Sequence, residues 1–165
     1  MILKLFNKFG TESETGPLPN RWGEVHASLA IKRDQFMFPT TIYNDLQRVH
    51  SFVKNNFFDA SEMETYGKKE YWATVDQVLM RGGGDCEDHA ILKWGLLHDM
   101  GYPLDLFSIA VVYNRKLEDH HAVLVCMGEN ESMVLDNLVP SIYPDREQQW
   151  YDPLYAFGYS RKWYF

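Results

Sequence analysis

Three strand-like runs crowd into residues 104–138, and they constrain this chain more than any other feature. "LDLFSIAVVY" at 104–113, "HAVLVCM" at 121–127 and "SMVLDNL" at 132–138 carry the apolar and β-branched residues that suit a pleated sheet. "GENE", residues 128–131, separates the last two and suits a hairpin connection. Upstream, the period is helical instead. Ile42, Leu46, Val49 and Val53 recur at helical spacing, so that Thr40 or Thr41 can cap a helix reaching about Phe57. Polar "DASEMETYGKKE" then reads as a loop, and Thr74 as the cap of a short helix ended by the glycines at 82–84. A third helix is expected from Cys86 to His98 or Asp99, stopped by Gly101 and Pro103, with Ile91, Trp94 and Leu97 on its buried side. Helices first and antiparallel strands second make an α+β pattern, with N-terminal helices packed on an antiparallel sheet.

The 165 residues suit one domain spanning 1–165 with a core of its own. Residues 1–38 are weakly patterned, with "GPLPN" as loop punctuation and no separate domain. The aromatic tail "WYDPLYAFGYSRKWYF" reads as a strand or extended segment closing the core, the alternative being a ligand-binding aromatic surface. A net charge of -7 argues against a nucleic-acid partner, and no apolar run reaches the length of a membrane span. "MILKLFNKFG" lacks the apolar stretch and cleavage site of a signal peptide, which points to the cytoplasm, or to the periplasm if a leader has been removed. Two cysteines make no disulfide framework, and Cys126 inside "HAVLVCM" reads as a buried small hydrophobe.

The chemistry concentrates in "RGGGDCEDHA", residues 81–90. Asp85 can cap the helix, and Asp88, three residues on, can reach back to the cap amide. Cys86 then falls in the first turn, where free N–H groups and the helix dipole favour a thiolate. The carboxylates of Asp85, Glu87 and Asp88 oppose it by like-charge repulsion.

Strand parity supplies partners for the sulfur. A hairpin with an even-numbered loop, Glu129-Asn130 or all of Gly128–Glu131, sets Met127 opposite Ser132, Val123 opposite Asp136 and His121 opposite Leu138. His121, Val123 and Asp136 then share a face, with His121 and Asp136 as diagonal neighbours. An odd loop reverses the parity. Asp119 competes for the same histidine, but Asp136 lies deeper in an apolar run and needs a partner. The pair can also be purely structural. With Cys86 added, three segments supply a nucleophile, a base and an orienting carboxylate. First-turn amides, including that of Cys86, can serve a developing oxyanion. The Trp72 indole is a candidate second donor, or simply core.

"YWATVDQVLMRGGGDCEDHAILKWGLLHDMGYP", "HHAVLV", "MVLDNL" and the late "PLYAFGYSRKWYF" together resemble the bacterial transglutaminase-like cysteine peptidases, over roughly residues 70–165. That family includes periplasmic proteases that clip surface adhesins. The resemblance implies a papain-like, transglutaminase-like fold and a Cys86–His121–Asp136 triad cleaving a protein or peptide amide bond through an acyl-enzyme. It also implies calcium, with Asp85, Glu87 and Asp88 as ligands and Asp105 completing the shell. A cation there would relieve the acidic collar of the thiolate. Against the peptidase stand acyl transfer to an amine with the same three residues, and a non-catalytic binding module retaining the fold. A zinc site built on Cys86, Asp88, His89 and His120 fits no common ligand spacing. Substrate identity and oligomeric state are not legible.

Overall fold

The computed structural model describes residues 2–14, 18–33, 39–60 and 71–165. Its main layer is an eight-stranded antiparallel sheet; helices lie along one face. In chain order the strands are β1 (Ile2–Leu5), β2 (Lys8–Glu12), β3 (Phe58–Asp59), β4 (Gly83–Gly84), β5 (Phe107–Asn114), β6 (Asp119–Cys126), β7 (Met133–Leu135), β8 (Tyr143–Pro144), β9 (Tyr151–Gly158) and β10 (Lys162–Tyr164). The helices are α1 (Trp22–Leu29), α2 (Ile42–Asn56), α3 (Val75–Arg81) and α4 (Cys86–Asp99). Sheet order is β1-β2-β10-β9-β5-β6-β7-β8, while β3 and β4 pair separately in parallel.

The expected α+β architecture is present, with the Cys86 helix as its centre. α4 is buried on more than one side: Leu92, Lys93 and Leu96 are as enclosed as Ile91, Trp94 and Leu97. One buried stripe was expected, but the helix lies between the other helices and the sheet, so every face meets protein. Gly95 lets α3 approach closely, since a Cβ there would lie 2.8 Å from Val75 Cγ1. The cap at Thr74 forms as a reciprocal box: its hydroxyl accepts from Gln77 N, and Gln77 Oε1 accepts from Thr74 N. Gly82, at φ 80°, ends that helix in the left-handed region where glycine is favoured. At α2, Thr41 takes the N-cap position as expected, but its side chain makes no capping hydrogen bond. The Thr40 amide and hydroxyl donate instead to the buried Asp45 carboxylate, which Arg48 and Tyr102 also satisfy.

Two further departures concern the ends of the chain and the strands. The weakly patterned stretch 1–38 contains a β1–β2 hairpin joined to the sheet through β10, as well as α1. Its strands are only four and five residues long, too short for alternation to show. The run from Leu104 starts as a 3-10 turn, Leu104–Leu106, and becomes strand only at Phe107. Residues 61–70 of the expected polar loop lie outside the described residues. The aromatic tail forms β9 and β10, closing the core with Tyr151, Phe157 and Trp163 buried. None of the described helices is long and apolar enough to cross a membrane.

Candidate active site

The start of α4 is fixed by close backbone approach. β4 packs so tightly that a Cβ at Gly83 would lie 2.2 Å from the Phe58 carbonyl oxygen, and one at Gly84 2.1 Å from Asp88 Oδ2. Asp85 Oδ1 accepts from the Asp88 amide, and Asp88 Oδ2 accepts from the Asp85 amide, completing the expected capping box. Cys86 follows as the first residue of the helix, half-buried. Its thiol donates to Glu87 Oε2 at 3.2 Å and also meets the backbone amide of Ala122. Burial first, then the charges of Glu87 and Asp85, hold this thiol well above the ordinary cysteine pKa, while the Ala122 amide pulls the other way. Burial and the two charges thus oppose what the place in the first turn favours.

Next to Ala122 stands His121. The β6–β7 register pairs Leu124 with Leu135 and Cys126 with Met133, the register of an even-numbered loop. Asp136 sits one residue past β7, and its Oδ1 bonds His121 Nε2 at 2.8 Å, both groups being buried. Asp119 is exposed and accepts from its neighbour's amide instead. His121 points to the face that carries Val123, Val125 and Val134, whereas Ala122 and Leu124 face the helices. The thiol lies against Ala122 on the helix side of β6, and His121, the next residue along the strand, turns its ring to Asp136 and Tyr151.

Asp136 is fully buried yet carries more donors than any sequence pattern suggested. Besides His121, the Leu138 amide donates at 3.0 Å, the Tyr143 hydroxyl at 3.0 Å and the Tyr151 hydroxyl at 2.6 Å. Burial pushes its pKa up, but His121, Tyr151 and the Leu138 amide outweigh that and bring it down to about 2. Burial and the Asp136 charge in turn drive both tyrosine pKa values upward, so these hydroxyls stay protonated donors. The tyrosines were missed because they stand in sequence among many aromatics. The available signal was a buried carboxylate needing more than one partner.

The remaining candidates divide. Trp72 is buried in the core, edge-on to Trp22 at 6.2 Å and to Phe157 at 6.4 Å. Asp105 lies at the opposite end of β5 from His121, accepting from the amide and hydroxyl of Ser160. The strand between Phe107 and Val112, the partner of His121, alone separates them by roughly 16 Å. His120 is exposed against Tyr113, and His89 is buried beside Phe58 and Asp59. Among the described residues no three His, Cys, Asp or Glu side chains group to hold a metal. Asp85 and Asp88 each give one carboxylate oxygen to the capping box. Together with Glu87 they set oxygen ligands of the kind a hard cation takes around the thiol, Asp85 and Glu87 being the more exposed.

A cysteine opening a buried helix that lies across an antiparallel sheet defines the papain-like, transglutaminase-like class of α+β fold. Residues 20–159 match the family described as bacterial transglutaminase-like cysteine proteinase (BTLCP), and the chain belongs to that family. Legionella pneumophila LapG superposes with a TM-score of 0.69 at 28% identity, over 87% of this chain and 75% of LapG. Its calcium-bound form gives 0.70 over the same shares of the two chains. A Cytophaga hutchinsonii chain, 15% identical over 86% of this chain and 49% of its own, shares the fold with a TM-score of 0.51. The mouse centrosomal protein of 76 kDa is 38% identical over 77 residues, 47% of this chain. The match spans only 11% of that relative's length.

Proposed function

We propose that this chain is a thiol peptidase acting on a protein or peptide through an acyl-enzyme on Cys86, with His121 as base and Asp136 as orienting carboxylate. The observation that carries this is the buried His121–Asp136 pair, directly beside the residue whose amide the Cys86 thiol meets. Asp136 occupies Nε2 and leaves Nδ1 of the ring to take the thiol proton once the sulfur turns away from Glu87. The thiolate attacks the amide carbon, and the amide oxygen takes the electron pair. First-turn N–H groups of α4, including that of Cys86, are the donors available to that oxygen. Collapse expels the amine, which leaves with the proton held by His121. Water then attacks the thioester, gives its proton to the ring, and releases the acid and the thiol.

The acidic collar is the obstacle to the first step. Calcium held by Asp85 and Glu87 would neutralise it and bring the thiol pKa down. Both a calcium-bound and an EGTA-treated form are known for LapG. Incubation with unfolded casein and a labelled primary amine tests the assignment. New amino termini that vanish in Cys86→Ala support the peptidase. Amine incorporation in their place shows acyl transfer, and neither product with calcium present leaves a binding module.

A further inference from the structure

Behind Asp136 lies a group of titratable side chains that this chemistry does not use. α2 presents His50 and Lys54, one turn apart, to the turn that follows the carboxylate. His50 Nε2 donates to the Val139 carbonyl at 2.8 Å, and Lys54 Nζ to the Asn137 carbonyl at 2.8 Å. A carbonyl only accepts, so Nε2 holds the proton and Nδ1 keeps its lone pair, buried without a hydrogen-bond partner among the described residues. From α4 comes Lys93, 1% exposed, a cation enclosed where few are tolerated. Asn137 Nδ2 donates to Asp59 Oδ1 at 3.1 Å, tying the same turn to β3.

These contacts meet a specific need. β7 ends at Leu135, so no strand partner holds residues 136–139. The turn closes on itself through Val139 N to Asp136 O and Leu138 N to Asp136 Oδ1. Tyr143 and Tyr151 restrain only the carboxylate. Anchoring the carbonyls of 137 and 139 from α2 fixes the backbone that aims it. We propose that His50 and Lys54 form a positioning device that holds the 136–139 turn and so keeps Asp136 directed at His121. Burial, with the Lys93 charge, brings the His50 pKa down to about 4, so its donor tautomer stays neutral at physiological pH.

The inference rests on the peptidase assignment and is tested by iodoacetamide alkylation of Cys86 at fixed neutral pH, followed by mass spectrometry of the Cys86 peptide. His50→Ala and Lys54→Met are expected to slow alkylation on the order of tenfold. His50→Gln, whose amide nitrogen can donate in place of Nε2, is expected to recover all but roughly threefold of the wild-type rate. In an Asp136→Asn background none of these changes lowers the rate further. Should His50→Ala not fold, the half-buried Lys54→Met carries the test. Unchanged rates, a Gln variant no better than Ala, or equal slowing in the Asp136→Asn background overturns the inference. Wild-type alkylation that depends on His121 but not on His50 or Lys54 removes this inference alone. Wild-type alkylation indifferent to His121 removes both it and the peptidase.

Discussion

Replacing Tyr151 with Phe deletes one hydroxyl from the Asp136 carboxylate and keeps the ring. That ring packs edge-on against Phe6 at 5.6 Å and His121 at 5.7 Å and stays in place, so the change removes the 2.6 Å hydrogen bond together with the hydroxyl's contact to Tyr143. Asp136 falls from an ordinary 3.8 to about 2 on folding, which corresponds to about 2 kcal/mol of stabilisation. A hydrogen bond to a buried charge contributes about 1.5–3 kcal/mol, so Tyr151→Phe is expected to cost about 2 kcal/mol at pH 7. Because the folded pKa lies below the unfolded one, this stabilisation is complete above about pH 4 and disappears as pH falls through about 2. Urea unfolding followed by tryptophan fluorescence at pH 7, 4 and 3 measures the gap between wild type and variant. It should be constant down to the unfolded pKa and narrow below it. A gap under about 0.5 kcal/mol at pH 7, or one as wide at pH 3 as at pH 7, refutes the reasoning.

Glu87→Gln removes a like charge beside the thiol and leaves only a neutral amide oxygen to accept its proton. Alkylation of Cys86 at pH 7 without calcium should quicken at least several-fold, on the order of one pKa unit, and no change would contradict the acidic collar. EGTA should slow wild-type alkylation and leave Glu87→Gln less affected; equal sensitivity would exclude Glu87 as a ligand. Gly84→Ala drives a Cβ into the Asp88 carboxylate and should break the capping box, lowering stability by about 1–2 kcal/mol in urea unfolding. Thr74→Ala should cost about 1 kcal/mol at the start of α3, without altering Cys86 alkylation.

Local signals carried far in this chain where they were chemically specific. Thr74 and Asp85 each stand three residues before a Gln or Asp that closes a capping box, so both helix starts were legible. The His121–Asp136 pairing followed from a period of two and one even loop. What stayed hidden depends on tertiary packing. Nothing local shows that Thr40 gives its hydrogen bonds to Asp45 rather than capping α2, because that choice follows from burial of the carboxylate. Tyr143 reaches Asp136 from β8, the neighbour of β7, and Tyr151 from β9, which lies across β5 and β6, a meeting that only the sheet order arranges. The thiol's contact with Glu87, one residue along the same chain, is a rotamer that spacing does not dictate. Asp105, placed in the sequence at the start of a strand, lies instead in the 3-10 turn before β5 and bonds Ser160, which no local pattern shows.

The central claim is that the Cys86 sulfur is served by His121, and that Asp136 acts through that ring. The most direct measurement is the pH profile of Cys86 alkylation in wild type, His121→Ala and Asp136→Ala, with calcium present. A wild-type rate that persists at mildly acidic pH, is abolished by His121→Ala and is weakened by Asp136→Ala is the predicted result. Three superimposable profiles, each rising only at alkaline pH, would contradict it.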